Sequence, residues 1–258
     1  MRARVRRVIE AVYRWRLATT LPDGPRPQHV GIMLDGNRRW AREAGFKDPQ
    51  EGYRAGGAKV LDFLRWCDSA QIEHVTLFML SDDNLHRTEA ELLPLITIIE
   101  GVVEDLASPG NSWPVEVIGS LDLLPPGSAQ RLKAAASRTV GRAGGTRVDI
   151  AVVYGGRREI VDAVRSAITE HIAAGRDVEE LVDTFEIDHI SRHLYSKGPS
   201  ETDLIIRTSG EQRLSGFLLW QSAYAEVYFC DCFWPDFREI DFLRALRSYS
   251  MRERRYGR

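Results

Sequence analysis

The stretch "HVGIMLDGNRRWAREAG", residues 29–45, joins an apolar run directly to a cluster of acidic, amide and guanidinium side chains. Asp35-Gly36 taken alone is a hairpin signal. A hairpin needs a second strand, however, and residues 38–45 instead show the pattern of a short helix that Gly45 ends. The stretch therefore predicts a buried strand that turns into a helix, a junction where proteins commonly hold anions.

Five further apolar runs have strand character: "HVTLFML", "VEVIG", "VDIAVVY", "DLIIRT" and "EVYFCD". Helical patterns lie between most of them. One follows Thr88 and Glu91, which have capping-box spacing, and another, "RREIVDAVRSAITEHIAAG", ends at Gly175. Alternating strands and helices predict a mainly parallel sheet covered by helices on both faces. The sequence has no internal repeat, so we assign one α/β domain to residues 28–258.

The bulk composition narrows the class of protein. The chain has 258 residues, 43% hydrophobic and 28% charged, and its net charge of −2 argues against a general polyanion binder, so no nucleic-acid partner is expected. Its three cysteines, Cys67, Cys230 and Cys232, lack framework spacing, which indicates a reducing cytosol. Cys230 and Cys232 should face the same side of a strand, as buried small side chains rather than as a zinc site.

Residues 1–27 form a basic N-terminal arm and a linker. The arm shows helical spacing, with Val5, Val8, Ile9 and Val12 on one face and Arg2, Arg6 and Arg7 elsewhere. Such a helix either docks on its own domain or lies on an anionic membrane surface. No apolar stretch approaches the roughly 20 residues that span a bilayer. We therefore expect a cytoplasmic protein, with peripheral membrane contact through the arm as the alternative to docking.

Polar clusters follow four of the predicted strands, at residues 35–40, 81–87, 155–158 and 207–213. In parallel sheets, ligands bind beyond the carboxyl ends of the strands, so these clusters should form one site. Arginine forks and glycine N–H groups recognise phosphate oxygens, and carboxylates among them suit Mg²⁺, which bridges carboxylate and diphosphate. No Walker-type loop and no G-x-G-x-x-G motif follows a strand, which argues against ATP and dinucleotides.

Five motifs resemble those of the cis-prenyltransferases, the undecaprenyl diphosphate synthase family. They are "HVGIMLDGNRRWAREAG", "LSDDNLHR", "VVYGGRREI", "IIRTSGEQRLSGFLLWQSAYAEVYF" and "WPDF". The match runs in family order from His29 to about Arg255. The resemblance implies one α/β domain, a homodimer, and Mg²⁺-dependent condensation of isopentenyl diphosphate with an allylic diphosphate to form a Z double bond. A non-catalytic partner subunit and a phosphate-binding module without turnover are the alternatives.

The resemblance also implies roles for individual residues. Asp35 matches the catalytic, magnesium-binding aspartate, and Glu226 matches a second metal-site carboxylate. The loop around the allylic diphosphate matches Gly36, Asn37, Arg38, Arg39 and Trp40. The next segment matches Ser81, Asp83, Asn84 and Arg87, with Asn84 favoured in proton removal. Asp82, within this segment, is a further substrate-binding candidate, although a solvated or capping role is the favoured reading of it. The isopentenyl diphosphate site matches Arg207, Arg213, Leu214 and Ser215. Arg255-Tyr256-Gly257 resembles a C-terminal segment that reaches the neighbouring active site in family dimers.

Several positions depart from the family pattern. Asp83 stands where Glu is usual, Leu85 where Trp is usual and Tyr53 where His is familiar, in a segment that is one residue longer than usual. Gly216 and Val153 each replace a common Asn. The departures around residues 47–53 leave open which side chains there contact phosphate.

Product length is predicted from the second strand. Long-chain members of the family often carry Ala and Phe before the serine, where this chain has Met79 and Leu80. The larger Met79 fills space that a growing isoprenoid needs, and Leu85 reshapes the mouth. The closest resemblance is therefore to the (2Z,6E)-farnesyl diphosphate synthases, which extend geranyl diphosphate once; a medium- or long-chain product is the alternative. Because side chains alternate along a strand, only one of Met79 and Leu80 should line the tunnel.

Overall fold

The computed structural model describes residues 25–197 and 201–251. The predictions for the N-terminal arm, residues 1–24, and for Arg255-Tyr256-Gly257 therefore fall outside the described residues.

Six strands form a single sheet within the described part of the chain. They are β1 (His29–Met33), β2 (His74–Ser81), β3 (Val115–Ile118), β4 (Arg147–Tyr154), β5 (Leu204–Arg207) and β6 (Glu226–Phe229). Their order across the sheet is β3-β4-β2-β1-β5-β6, and every neighbouring pair is parallel. The predicted parallel sheet is confirmed.

Helices connect and cover these strands. They are α1 (Asn37–Glu43), α2 (Gln50–Ser69), α3 (Glu89–Ala107), α4 (Ser128–Ser137), α5 (Gly156–Ala173), α6 (Val178–Thr184), α7 (Ile187–Ser191) and α8 (Glu239–Ser250). Short 3₁₀ turns lie at Asp82–His86, Leu121–Leu123 and Trp234–Asp236. Across the described ranges, we find no helix with both the length and the apolar character needed to cross a bilayer.

Side chains of β1 alternate between two apolar layers. Val30 and Ile32 join the larger core with residues of α2, α3, α4 and α8, whereas Met33 joins a smaller cluster on the other face. Both faces of the sheet are therefore buried, as expected for parallel strands. Because both faces are covered, a ligand can reach the sheet only at the ends of the strands.

The strand register brings the predicted polar clusters to one edge. Met33, at the end of β1, pairs with Phe78 of β2 and with Arg207 of β5, and Ser81 of β2 pairs with Tyr154 of β4. The loops that follow β1, β2, β4 and β5 consequently leave the sheet side by side. The clusters after β1, β2 and β5 line one cavity at this edge, as predicted, whereas residues 155–158 after β4 lie outside its lining.

Helix ends agree with the sequence in two cases and differ in a third. Gly45 and Gly175 follow α1 and α5 with positive φ of 83° and 72°. Thr88 precedes α3 as predicted, but its side chain makes no capping hydrogen bond. The capping-box prediction is wrong because the carboxylate of Glu91 pairs instead with Arg38, at 3.4 Å.

Two buried imidazoles stack at the opposite, amino edge of the sheet. The rings of His29 and His74 lie 3.9 Å apart at 17°, with His29 Nε2 2.8 Å from Thr76 Oγ1 and His74 Nε2 2.9 Å from the carboxylate of Asp149. Burial and the neighbouring His74 lower the pKa of His29 from 6.5 to about 3. His29 is therefore neutral in the folded protein at pH values where it is protonated in the unfolded chain.

The folded state should lose stability as the pH falls from 6.5 towards 3, because the unfolded chain binds a proton at His29 that the folded chain does not. Each pH unit within this window costs up to about 1.4 kcal/mol from this residue. His29→Gln should make the pH dependence of the unfolding free energy shallower, as measured by urea unfolding between pH 7 and 4. His86→Gln removes an exposed imidazole and is the matched control. An unchanged slope in His29→Gln would contradict the assignment.

Candidate active site

A cavity of about 500 Å³ opens at the carboxyl edge of the sheet. That volume is typical of small-molecule sites. Its polar and glycine lining comprises Asp35, Gly36, Asn37, Arg38, Arg39, Arg42, Tyr53, Ser81, Asp83, Asn84, Arg87, Arg207, Arg213 and Ser215. Its apolar lining comprises Met33, Leu34, Phe78, Met79, Leu80 and Leu95. The structure thus brings together most of the residues that the sequence singled out.

The charge of the lining indicates the ligand. Six arginines face two carboxylates, those of Asp35 and Asp83. A concave surface with this excess of guanidinium groups attracts a polyanion, and the planar guanidinium fork matches phosphate oxygens. The apolar end of the same cavity suits a hydrocarbon. The cavity as a whole therefore fits an amphiphile with an anionic head.

The turn after β1 places Asp35 at the mouth of the cavity. Gly36 adopts φ 99°, ψ 0°, a left-handed conformation that favours glycine, and a Cβ at this position would lie 2.6 Å from the ring of Phe233. Asn37 then begins α1, and its side chain donates a hydrogen bond to the carbonyl of Leu34 at 2.7 Å. Asn37 is therefore as much a support of the turn as a lining residue.

Thr208, fully buried after β5, holds the backbone of Asp35. Its hydroxyl accepts a hydrogen bond from Asp35 N at 2.9 Å and lies within donating distance of the carbonyls of Asp35, at 2.8 Å, and Met33, at 3.1 Å. Sequence reasoning missed this residue, although it follows Arg207 in the quoted motif. In the sequence, a threonine next to an arginine suggests a phosphate contact. Its backbone partners, Met33 and Asp35, become apparent only from the pairing of β1 with β5.

Arg207 is the buried cation of the site. One guanidinium nitrogen donates to the carboxylate of Asp35 at 2.7 Å, and another donates to Ser215 Oγ at 3.1 Å and to the carbonyl of Arg213. Only 4% of the Arg207 side chain is exposed, against 41% of that of Asp35. The pair therefore presents its carboxylate to the cavity while the guanidinium anchors the loop below it.

Arg39 bridges the two loops from the other side. Its guanidinium donates to Ser209 Oγ at 2.8 Å and pairs with Glu211 at 3.2 Å, and it lies 5.6 Å from the ring centroid of Phe233. Glu211 also pairs with Arg213, and this contact lowers the pKa of Glu211. Ser209 and Glu211 belong to the quoted motif, but their partner, Arg39, is about 170 residues earlier in the chain, so the sequence did not reveal this contact.

The segment after β2 carries a reciprocal cap. Asn84 N donates to Ser81 Oγ at 3.3 Å, and Ser81 N donates to the amide oxygen of Asn84 at 3.4 Å. Arg87 donates to the hydroxyl of Tyr53 at 2.9 Å. Tyr53, one of the departures from the family pattern, therefore lines the cavity and orients one of its arginines.

Both Met79 and Leu80 line the cavity, which corrects the expectation that only one of them would. The strict alternation of side chains fails because the pairing of β2 with β4 is irregular between Phe78 and Leu80 and again before Ser81. Met79, unlike Leu80, also borders a second cavity of about 40 Å³ between α2 and α3. Met79 thus lies between the main cavity and the smaller one, together with Leu34, Asn37, Tyr53 and Leu95, which also line both.

Besides Glu226, four of the predicted site residues lie outside the cavity lining: Trp40, Asp82, Leu85 and Leu214. Trp40 stacks on Phe46 with ring centroids 5.6 Å apart. The carboxylate of Asp82 accepts a hydrogen bond from Asp83 N at 2.9 Å and packs against Gly155, where a Cβ would lie 2.1 Å from it. Leu85 packs against the larger core and Leu214 against the smaller. These four side chains therefore contact neighbouring protein groups instead of the cavity.

Glu226 lies at the amino edge of the sheet, away from Asp35. It begins β6 and pairs with Leu204, three residues before Arg207, which corresponds to about 10 Å along the strand. Asp35 follows Met33, the partner of Arg207, and is farther still. The prediction that Asp35 and Glu226 serve one metal ion therefore fails within a single chain, because strand direction separates them.

Two departures from the family pattern occur where the backbone is left-handed. Val153 has φ 51° and Gly216 has φ 75°, and each replaces an Asn, which tolerates this region. Gly216 adopts the conformation without strain, whereas the β-branched Val153 does so at a cost.

His189 and His193, four residues apart, each have a separate protein partner. His189 accepts a hydrogen bond from Glu186 N, and His193 pairs with Glu170.

Comparison with known proteins agrees with the geometry. Residues 32–257 match the prenyltransferase family model described as undecaprenyl diphosphate synthase. Isoprenyl transferase 2 of Streptomyces coelicolor is 73% identical over the full length of both chains. A (2Z,6E)-farnesyl diphosphate synthase of Thermobifida fusca is 54% identical, with 95% of this chain and 96% of that protein covered.

A solved structure shares the fold. Lavandulyl diphosphate synthase from Lavandula x intermedia, in complex with dimethylallyl diphosphate, superimposes with a TM-score of 0.81 at 33% identity, covering 90% of this chain and 98% of that one. The family match, the full-length relatives and the shared sheet and helices agree. The chain therefore belongs to the undecaprenyl diphosphate synthase family of cis-prenyltransferases.

Proposed function

We propose that this protein condenses isopentenyl diphosphate with geranyl diphosphate, forming a Z double bond and releasing (2Z,6E)-farnesyl diphosphate as its product. The observation that supports this most directly is a cavity whose arginine-lined mouth continues into an apolar end bordered by Met79. The name of the Thermobifida fusca relative, (2Z,6E)-farnesyl diphosphate synthase, supports the same product.

The donor set fits Mg²⁺ held jointly by protein and substrate. Within the described residues, no group of three or more His, Cys, Asp or Glu side chains is placed to hold a metal ion. Mg²⁺ commonly takes one or two carboxylates together with phosphate oxygens and water, so the half-exposed carboxylate of Asp35 at the mouth suits it. Bound there, the ion would neutralise charge that develops on the leaving diphosphate.

The chain's own cations divide between two diphosphates. Arg38, Arg39 and Arg42 of α1 face the allylic diphosphate beside Gly36, whereas Arg207, Arg213 and Ser215 hold isopentenyl diphosphate on the neighbouring loop. Two loops fixed to one another by the Asp35–Arg207 pair align the two substrates, and alignment removes much of the entropic barrier to their reaction. Arginines at the mouth also stabilise the charge of the departing group.

Condensation needs a bond change and a proton transfer. The isopentenyl double bond attacks the allylic carbon as the carbon–oxygen bond to diphosphate breaks, and the C2 proton of the isopentenyl group then leaves. Asn84 is a weak base, and its amide oxygen already accepts from Ser81 N. We assign the proton to an oxygen of the departing diphosphate, with Ser81 and Asn84 positioning the isopentenyl group.

We also propose that the protein acts as a homodimer. Apolar side chains are exposed at and near β6, an edge strand of the described sheet: Leu219, Tyr224 and Phe229. An edge strand flanked by exposed apolar groups favours association with another chain.

Asp35→Asn should lower kcat by roughly 10²- to 10⁴-fold, because it removes the carboxylate charge that serves the metal ion and that pairs with Arg207. Circular dichroism checks that the variant is folded. Purified protein is incubated with Mg²⁺, geranyl diphosphate and labelled isopentenyl diphosphate, and the dephosphorylated products are separated by chromatography. Asp122→Asn, which alters an exposed carboxylate outside the cavity lining, is the control and should keep wild-type activity. More than a tenth of wild-type activity in Asp35→Asn would contradict the role of Asp35, and no C15 product from wild type would contradict the proposed reaction.

Thr208→Val should lower kcat about 10- to 100-fold with little change in KM for geranyl diphosphate, since the backbone of Asp35 loses its hydroxyl partner. Thr208→Ser retains the hydroxyl and should restore most of kcat. Circular dichroism confirms that both variants are folded. Equal loss in the Val and Ser variants would show that packing of the methyl group, rather than positioning of Asp35, explains the effect.

Met79→Ala should lengthen the product by one or more isoprene units, because truncation joins the main cavity to the one between α2 and α3. Leu80→Ala is the matched control: Leu80 lines the main cavity but not the smaller one, so its truncation should destabilise the fold by about 2–5 kcal/mol without lengthening the product. Product distributions from both variants decide the matter. Longer chains from Leu80→Ala alone would reverse the assignment.

A further inference from the structure

Cys230 and Cys232 form a close thiol pair that the proposed reaction does not use. Their sulfur atoms lie 3.2 Å apart in the segment that follows β6, and both side chains are half-buried rather than enclosed. Cys67, by contrast, is fully buried within the core. We propose that Cys230 and Cys232 form a reversible disulfide that regulates binding of diphosphate at the neighbouring loop.

The backbone of this pair is bonded directly to the loop that begins at Arg207. Cys230 N donates to the carbonyl of Arg207 at 2.8 Å, Gly210 N donates to the carbonyl of Cys230 at 2.9 Å, and Ser209 N donates to the carbonyl of Cys232 at 2.7 Å. These three bonds shape the left-handed turn at Ser209 and Gly210, which have φ of 77° and 72°. Any change at the pair is therefore transmitted to Ser209.

The same segment also supports the loop that carries Asp35. Trp234 N donates to the carbonyl of Asp35 at 2.9 Å, and the ring of Phe233 packs against Gly36 and lies beneath Arg39. Residues 230–234 thus contact both diphosphate-binding loops from below. A single covalent change in residues 230–234 can therefore alter the loop after β1 and the loop after β5.

The two thiols are chemically unequal. The S–H···S contact between them lowers the pKa of the Cys230 thiol and raises the pKa of the Cys232 thiol. A half-exposed thiol of lowered pKa beside a second thiol is the arrangement found in redox-sensitive pairs. No third His, Cys, Asp or Glu in the described chain completes a metal site with them, so oxidation is favoured over metal binding.

The reaction requires a hydroperoxide as oxidant. The Cys230 thiolate attacks a peroxide oxygen, giving a sulfenic acid and releasing hydroxide, which takes up the thiol proton as water. The sulfur of Cys232 then attacks the sulfenic sulfur, forming the S–S bond and releasing a second water. Each sulfur loses one electron, and the peroxide gains both. A dithiol restores the pair by exchange.

Disulfide formation should disturb the diphosphate loop. The sulfur atoms must approach by about 1 Å to reach bonding distance, which tightens the backbone around Asp231 and moves the carbonyl of Cys230. That carbonyl holds Gly210 in place, and Ser209 beside it accepts from Arg39. We expect oxidation to weaken binding of inorganic diphosphate roughly fivefold, the effect of about one lost hydrogen bond.

Mass spectrometry tests the disulfide without any need for turnover. The intact protein is treated with hydrogen peroxide, denatured, alkylated and digested with trypsin. Cys230 and Cys232 fall in one tryptic peptide, residues 214–238, and Cys67 falls in another, residues 66–87. The expected result is a 214–238 peptide lighter by two hydrogens and not alkylated until a dithiol is added, with Cys67 alkylated throughout. Sulfinic acid at one cysteine, or alkylation of both, would overturn the proposal.

Calorimetry with inorganic diphosphate and Mg²⁺ tests the regulation. Oxidised wild type should bind about fivefold more weakly than reduced wild type, and a dithiol should reverse the change. Cys230→Ser and Cys232→Ser should bind alike before and after peroxide. A disulfide that leaves the affinity unchanged would overturn regulation of the loop. The effect on prenyl transfer rests on the proposed function, but neither readout does, so a protein without prenyltransferase activity would disprove that function alone.

Discussion

The ion pair between Asp35 and Arg207, 2.7 Å long, is the interaction on which the rest of the site depends. Parallel pairing of β1 with β5 sets Met33 beside Arg207, so the two side chains meet where the strands end. Each needs the other: removing the carboxylate would leave a buried guanidinium without its counter-ion, which commonly costs several kcal/mol. The pair therefore keeps an arginine-rich cavity intact before any substrate or metal ion enters.

This constraint explains two of the positions at which the backbone is strained. Ser209 and Ser215, with φ of 77° and 47°, flank the segment that wraps around the Arg207 guanidinium. Left-handed conformations at residues other than glycine are costly and persist where surrounding contacts determine them. Ser209 N donates to the carbonyl of Cys232 and Ser209 Oγ accepts from Arg39, while Ser215 Oγ accepts from Arg207; these contacts hold the two serines in place.

The sequence predicted those features that local pattern determines. Apolar runs marked all six strands, and the polar residues directly after β1, β2 and β5 located the cavity, because in a parallel sheet the end of a strand fixes where the following loop begins. The fourth predicted cluster, residues 155–158 after β4, lies outside the cavity lining. It failed where the outcome depends on register. The irregular pairing of β2 placed Met79 and Leu80 on one cavity, and strand direction carried Glu226 to the opposite edge. Thr208 was missed for the same reason, since its partners belong to β1 and the turn after it.

The two ends of the cavity are lined by different elements of the fold. The charged mouth is formed by the loops after β1 and β5, whereas the apolar end is formed by β2 and α3, through Met79 and Leu95. Met79 and Leu95 belong to β2 and α3, and neither element carries a member of the Asp35–Arg207 pair. Substitutions in β2 or α3 can therefore change the size of the apolar end while the residues of the loops after β1 and β5 stay the same.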